Sequence, residues 1–514
     1  MAGVLATHYL DAIESMPDAQ DAAELRERAI ALLLQAAQHA SGVGSQTLAL
    51  TYIARLVDLE PSDEVLVRAV RLGVQVTGRV AADVDRGLAW SARGVEAAER
   101  IGAEEDVLWL KLGACTLLNM VSRADEALPV AQEVMDAARG HAERVDLLSQ
   151  AVRTICMCAQ YLGDAGLAQQ AAIDGLADVE RFGTDEDFAL FLDSFAMWFG
   201  LAGFRRMGAL VRRAAVAAFD AGDASVGQRM IGAAPIMNLA TLVVHDNPRE
   251  ALTLGLDGLA IARRLGSNVV APRGHLLIAD VALGEWAVAR DVIVARRADG
   301  PSALVEWEAY LSVGAAFIAW GSDDPDLLLP PPAFETSDPV VNGWQMMSDA
   351  VTAALGGDVR AGASLAAQAV RRTGEFELAN EDVPLAVTLA VELLVAAGDM
   401  KDELQALVDL LERIPAGQRY RLLDGSLQRA KAHLSDESVK GLRAAVSIFD
   451  QMGAAYWAAR VRVELAAALD AAGEPGASSM LDAAEPVLTA AGANRALREL
   501  GQVRERLAAA ALTS

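Results

Sequence analysis

Apolar and small residues recur at helical spacing along nearly the whole chain, and the clearest case is residues 149–184. There Leu167, Ala168, Ala171, Ala172, Gly175, Leu176 and Val179 fall on one face of a 3.6-residue period. The helix before them ends at Tyr161-Leu162-Gly163. Gly163 suits the left-handed residue just past a helix end, and Asp164 suits the N-cap of the next helix. That second helix closes at Arg181-Phe182-Gly183, a cation near the negative helix end followed by a terminating glycine. Thr184 with Asp187 three residues on predicts a capping box opening another helix.

The same punctuation returns along the chain. Inter-helix turns are predicted at Gly42, Ala82, Ser122, Gly163, Gly203, Asp246, Gly284, Gly321, Gly357, Gly398, Ser435 and Gly473. Their spacing stays near 40 residues, with two helices in each period, which is the signature of stacked helix pairs. The expected fold is all-α, an α-α superhelix (solenoid) of about twelve helix pairs with a period near 40 residues. No alternating stretch is long enough to argue for a sheet.

One stretch breaks the rhythm. Residues 322–343 carry Pro325, Pro330, Pro331, Pro332 and Pro339, so no regular helix is expected through them. The predicted organisation is a helical-repeat segment over 1–321, a proline-rich irregular loop over 322–343 and a second repeat segment over 344–514. Residues 1–61 read as a junction or capping region within the first segment.

Composition narrows the function. Hydrophobic residues make up 53 % of the 514, but aromatics only 5 %, so the apolar content is mostly Ala, Leu and Val, as close-packed helices need. The net charge of −26 repels nucleic acid and anionic lipid, and neither is an expected partner. Cys115, Cys156 and Cys158 make no disulfide framework and read as buried thiols. The N-terminus has no basic segment leading into an apolar run, so a soluble cytoplasmic protein is expected.

Catalytic patterns are missing. The four lysines, Lys111, Lys401, Lys431 and Lys440, are followed by Leu, Asp, Ala and Gly, which excludes a phosphate-binding P-loop. The six histidines stand at least 30 residues apart without zinc-helix spacing. Acidic runs such as Asp185-Glu186-Asp187 sit at helix starts, where the dipole favours them. The expectation is no enzyme, no cofactor and no metal. One cluster remains as a candidate site: Trp286, Trp307, Trp320 and Trp344, grouped around the proline-rich break. Such aromatics either line a groove for a peptide or ligand or cement the seam between the two segments.

With the repeat in hand, the chain resembles the tetratricopeptide-type helical-repeat region of bacterial multidomain signalling ATPases and cyclase-linked regulators. Two places carry the likeness. One is Val4–Leu10 with Pro17-Asp18 and Ala36-Ala37. The other is Gly441–Val446 running into Phe449–Ala454, then Tyr456–Arg460 and Glu464-Leu465. The resemblance implies a tetratricopeptide-like scaffold for a protein or peptide partner in signalling or regulation. The alternative it implies is the sensor arm of a regulatory ATPase, cyclase or transcriptional regulator whose catalytic half lies outside this chain. The period is nearer 40 than 34, the closing proline is mostly missing, and no active-site residue of that family has a counterpart here.

Overall fold

A computed structural model of the chain describes residues 2–16, 20–80, 83–221, 234–300, 302, 304–330, 339–373 and 383–513. Among these residues there are 25 α-helices and no strand. The first turn of the superhelix is built from α1 (Ala2–Ser15), α2 (Ala22–Gly42), α3 (Gln46–Asp58), α4 (Asp63–Val80), α5 (Val84–Arg100), α6 (Glu104–Met120), α7 (Ala124–Ala138), α8 (Val145–Leu162), α9 (Ala165–Phe182), α10 (Asp185–Leu201) and α11 (Arg205–Ala221). The chain continues through α12 (Ala234–Val244), α13 (Pro248–Leu265), α14 (Val270–Leu283), α15 (Trp286–Asp299) and α16 (Val305–Ser322). It then runs through α17 (Pro339–Leu355), α18 (Val359–Thr373), α19 (Pro384–Ala397), α20 (Lys401–Arg413), α21 (Arg421–Leu434), α22 (Ser438–Gln451), α23 (Ala455–Ala472), α24 (Ala477–Ala491) and α25 (Asn494–Thr513).

Local chemistry sets the boundaries. Gly163 adopts φ 69°, and the Asp164 side chain accepts a hydrogen bond from the Leu167 N–H. Thr184 and Asp187 make the reciprocal capping box that opens α10. Helix α9 ends at Phe182 with Gly183 as its cap residue, extended at φ −69°, ψ 150° where the chain leads into the capping box. One boundary differs from expectation. The turn expected at Gly321 falls two residues later, at Asp323. Asp323 takes the left-handed cap at φ 57°, as the short polar side chain of Asp tolerates.

Between α16 and α17 only a short 3₁₀ turn, Pro325–Leu327, is found among the described residues. Helix α17 begins at Pro339, before the second repeat segment expected from 344. Residues 331–338 of the expected loop, Pro331 and Pro332 among them, lie outside the described residues. So do the Pro17-Asp18 break and the Ala82 turn.

Successive turns of the superhelix rest on one another. The Gln46 side-chain amide donates to the Leu265 carbonyl at 2.7 Å, across 219 residues of sequence. The Asn268 N–H donates to the Arg79 carbonyl at 2.7 Å, and its side-chain amide to the Val80 carbonyl at 3.3 Å. Tyr161 bonds Glu306 at 2.8 Å, the Leu422 N–H donates to the His245 carbonyl at 3.0 Å, and Asn494 donates to the Ser322 carbonyl at 2.9 Å. These separations of 145 to 219 residues correspond to about three and a half to five and a half helix pairs at a period near 40.

The seam is tightest at Gly44 and Gly266, both at positive φ (79° and 61°). A Cβ on Gly266 would stand 1.7 Å from the Gly44 carbonyl oxygen. Gly266→Ala is therefore expected to part the seam there, at a cost of at least about 1–2 kcal/mol from the left-handed backbone alone. Hydrogen exchange checks this: the Asn268 amide should exchange faster while the amides of α8 stay protected.

Burial differs between the two halves. Helices α14, α16 and α19 are apolar all round and buried on nearly every residue, so they fill the superhelix axis. One continuous core runs from Leu239 to Val503, whereas the first turn keeps smaller separate cores. Helices α4 and α6 bury fewer than half of their residues and leave others to line the axis.

Candidate functional site

Where the axis is not filled, a cavity of about 340 Å³ opens between the two turns. One wall comes from α4, α6 and α8. Arg71, Val74, Gln75 and Gly78 follow one face of α4 at helical spacing, and Trp109, Gly113, Thr116 and Met120 do the same on α6. Gln150, Arg153, Thr154 and Met157 come from α8. The facing wall belongs to the next turn: Met237 of α12, Ala262 of α13, Asn268, Ala271 of α14, Leu304 and Trp307 of α16.

The cations of the wall are held in place. The Arg71 guanidinium donates to Asp106 at 2.6 Å and lies over the Trp109 ring, 5.1 Å from its centre. Arg153 reaches Asp193 at 3.4 Å and the Met157 sulfur at 3.3 Å. Asp193 is fully buried and is gripped from its other side by Arg212 at 3.3 Å. Burial pulls the Arg79 guanidinium below its ordinary value. Behind Trp307 stands His275, edge-on at 4.7 Å; burial lowers its pKa to about 3, so the ring is neutral.

The four tryptophans expected as a cluster belong to one continuous core, where Trp307 and Trp344 share Tyr310 as a neighbour while Trp286 and Trp320 pack elsewhere. Trp307 alone lines the cavity. Trp286 is fully buried against Tyr456, with ring centres 4.5 Å apart. Trp320 lies under the Arg495 guanidinium at 3.5 Å, and Trp344 packs on Tyr310 at 5.1 Å. Sequence reasoning missed Arg71, Arg79, Trp109 and Arg153. Their one signal was an apolar-to-basic stripe on the axial face of α4, α6 and α8, and nothing local says that this face meets a second turn.

Among the described residues no group of three or more His, Cys, Asp or Glu is placed to hold a metal ion. The thiols are free and buried. Burial pushes Cys115 and Cys156 up to about 12 and Cys158 up to about 11, which makes them poor nucleophiles. Among the described residues no helix is long and apolar enough to cross a membrane.

No family model matches the chain, and no curated protein matches it in sequence. Comparison with solved structures finds partial likenesses. A Rap protein complexed with competence and sporulation factor is 13 % identical, covering 78 % of this chain and 99 % of its own, with a TM-score of 0.40. The apo form of the quorum sensor NprR from B. thuringiensis is 11 % identical over 78 % and 99 %, with a TM-score of 0.37. Yeast Tom70 is 10 % identical over 85 % and 96 %, with a TM-score of 0.29. The chain is an all-α helical-repeat solenoid.

Proposed function

We propose that this solenoid is a non-enzymatic, tetratricopeptide-like interaction scaffold that receives a peptide segment of a partner protein in the axial cavity. One observation carries the reading: the cavity is walled by two superhelical turns and mixes two tryptophans, three methionines and three arginines. Ligand pockets of about 300–1,000 Å³ combine such apolar walls with a few placed polar groups. Methionine adapts its shape, so Met120, Met157 and Met237 fit a wall that must accept a flexible chain.

A role in bacterial signalling, and a cytoplasmic location, belong to the same proposal. They are supported by the resemblance over Gly441–Leu465, which lies in α22 and α23. The second reading, a sensor arm of a regulatory ATPase, cyclase or transcriptional regulator, rests on the likeness of the Val4–Leu10 stretch to a junction segment. In that case an occupied cavity would bias a switch module by favouring one spacing of the two turns.

Gly78→Leu tests the site. A Cβ at Gly78 meets only Leu117 and Thr116, both at 3.9 Å, so a leucine there occupies the cavity without pushing on the core. Replacing a mid-helix glycine should also add about 0.5–1 kcal/mol of stability. The expected result is a melting temperature equal to or above that of the parent, with at least tenfold weaker binding of peptides selected from a random octapeptide display library. Unchanged binding by this variant would remove the cavity from the proposal. Stoichiometric ATP or GTP hydrolysis by the pure chain would overturn its non-enzymatic part.

A further inference from the structure

The cavity wall contradicts the rest of the molecule in charge. The chain holds 70 acidic residues against 44 basic ones, yet the lining contains Arg71, Arg79 and Arg153 and no carboxylate. Each guanidinium offers five N–H donors. The one carboxylate bonded to Arg71 takes a single terminal nitrogen, and Asp193 takes the inner Nε of Arg153. Asp106 and Asp193 thus act from behind as holders: they fix where the cations point and leave donor capacity toward the cavity. The Trp109 ring under Arg71 does the same by stacking.

We propose, on the reading of the cavity as a peptide site, that the segment it takes is acidic as well as apolar, its carboxylates held by Arg71 and Arg153 and its apolar side chains seated on Trp109, Trp307 and the methionines. A neutral apolar segment would move the Arg71 and Arg153 guanidinium groups into a drier environment without adding an acceptor, which costs free energy. A basic segment would meet like charge. An acidic one gains charge-assisted, often bidentate, hydrogen bonds. The net charge of −26 on the chain as a whole adds selectivity of a different kind. It slows the approach of any anion, so only a ligand with enough apolar area to hold on after entry is retained.

The experiment selects octapeptides from a random display library against the full chain. It then compares each selected peptide with its isosteric amide version, in which Asp is replaced by Asn and Glu by Gln. The expected result is enrichment of Asp or Glu beside Leu, Met or Phe, and at least tenfold weaker binding of the amide version. Arg71→Gln should weaken the acidic peptide by a similar factor and the amide version little. Arg71→Lys should restore part of the loss, since it keeps the charge but not the fork. Arg71 is chosen because its pair with Asp106 is partly exposed, so the variant is expected to fold; Arg153→Gln would strand the buried Asp193 on one fewer partner. Selected peptides that are neutral or basic, or that bind equally as amides, overturn this proposal while leaving the peptide site standing if Gly78→Leu still blocks them. Failure to select any peptide that Gly78→Leu displaces overturns both.

Discussion

Glu392→Leu is expected to destabilise the second half of the chain by about 3–5 kcal/mol, the usual loss when one member of a buried ion network is removed and its partners stay behind. Glu392 on α19 is buried between Arg429 of α21 and Arg460 of α23; it bonds the Arg460 Nε at 2.8 Å and is ion-paired with Arg429. Glu464 of α23 accepts from the Arg429 Nε at 2.9 Å and is bonded to His433 at 3.0 Å. Glu499 of α25 closes the chain of charges on Arg460 at 2.8 Å. Four successive first helices are thus tied by one set of charges, of which Glu392, Arg429, Arg460 and Glu464 are buried and Glu499 is partly exposed. Leucine at 392 leaves two guanidinium groups sharing Glu464 and Glu499. Hydrogen exchange should then accelerate together in α19, α21, α23 and α25 and hardly at all in α4 to α8. A stability change within about 0.5 kcal/mol, the range of an ordinary surface substitution, would show that the network contributes nothing.

The network also fixes the direction of acid sensitivity. Burial pushes the Glu392 and Glu464 carboxyls up, but Arg429 and Arg460 outweigh it and hold both below the ordinary carboxylate value, Glu464 well below. Their contribution is therefore fully present above the unfolded carboxylate pKa of about 4.3 and is lost as pH falls through their folded values. In the parent chain α19 to α25 should loosen over that acid range, and Glu392→Leu should flatten this dependence.

Trp320→Ala is the second large effect, at about 3–5 kcal/mol, typical of a fully buried tryptophan cut back to alanine. Trp320 is 0 % exposed, and its loss has two consequences. It opens a void in α16, and it removes the ring on which Arg495 lies. Arg495 also donates to the Trp320 carbonyl at 3.1 Å and pairs with Asp323 at 2.7 Å, so α16 and α25 are joined at this point. The expected pattern is a large fall in melting temperature with cavity-binding affinity changed less than twofold. A retained melting temperature with lost peptide binding would assign Trp320 to a site rather than to the contact between turns.

How much of this was legible depends on the range over which the cause acts. Gly163, Asp164, Thr184 and Asp187 act within one turn of backbone, and their roles are readable from residue type and spacing. Small displacements arise where two residue types compete for one job, as when Asp323 rather than Gly321 takes the left-handed position. The cavity lies beyond that range. Superhelical pitch is the sum of many small rotations between neighbouring pairs, so which residues meet after 145 or 219 positions is not written near either of them. Arg71 and Arg153 look like ordinary solvated cations until a second turn is laid over them. The tryptophans are an intermediate case: closeness in sequence suggested one cluster, and all four do join one core, but 286 lies on a second helix and 307, 320 and 344 on first helices, and only Trp307 and Trp344 share a ring neighbour, Tyr310.

The contact between turns also sets a schedule for synthesis. The carbonyls of Arg79 and Val80 are capped by Asn268, 188 residues downstream of Val80. At 5–20 residues per second a ribosome needs roughly 10–40 s to make that stretch. Through that interval the emerging first turn holds open backbone acceptors and an axial face with its cover still unmade. Early helix pairs can form as soon as they leave the exit tunnel, but they become fixed at their final pitch only when the next turn arrives. Production at a slower elongation rate should therefore lengthen the time in which this face is open to chaperones or to another nascent chain on the same message.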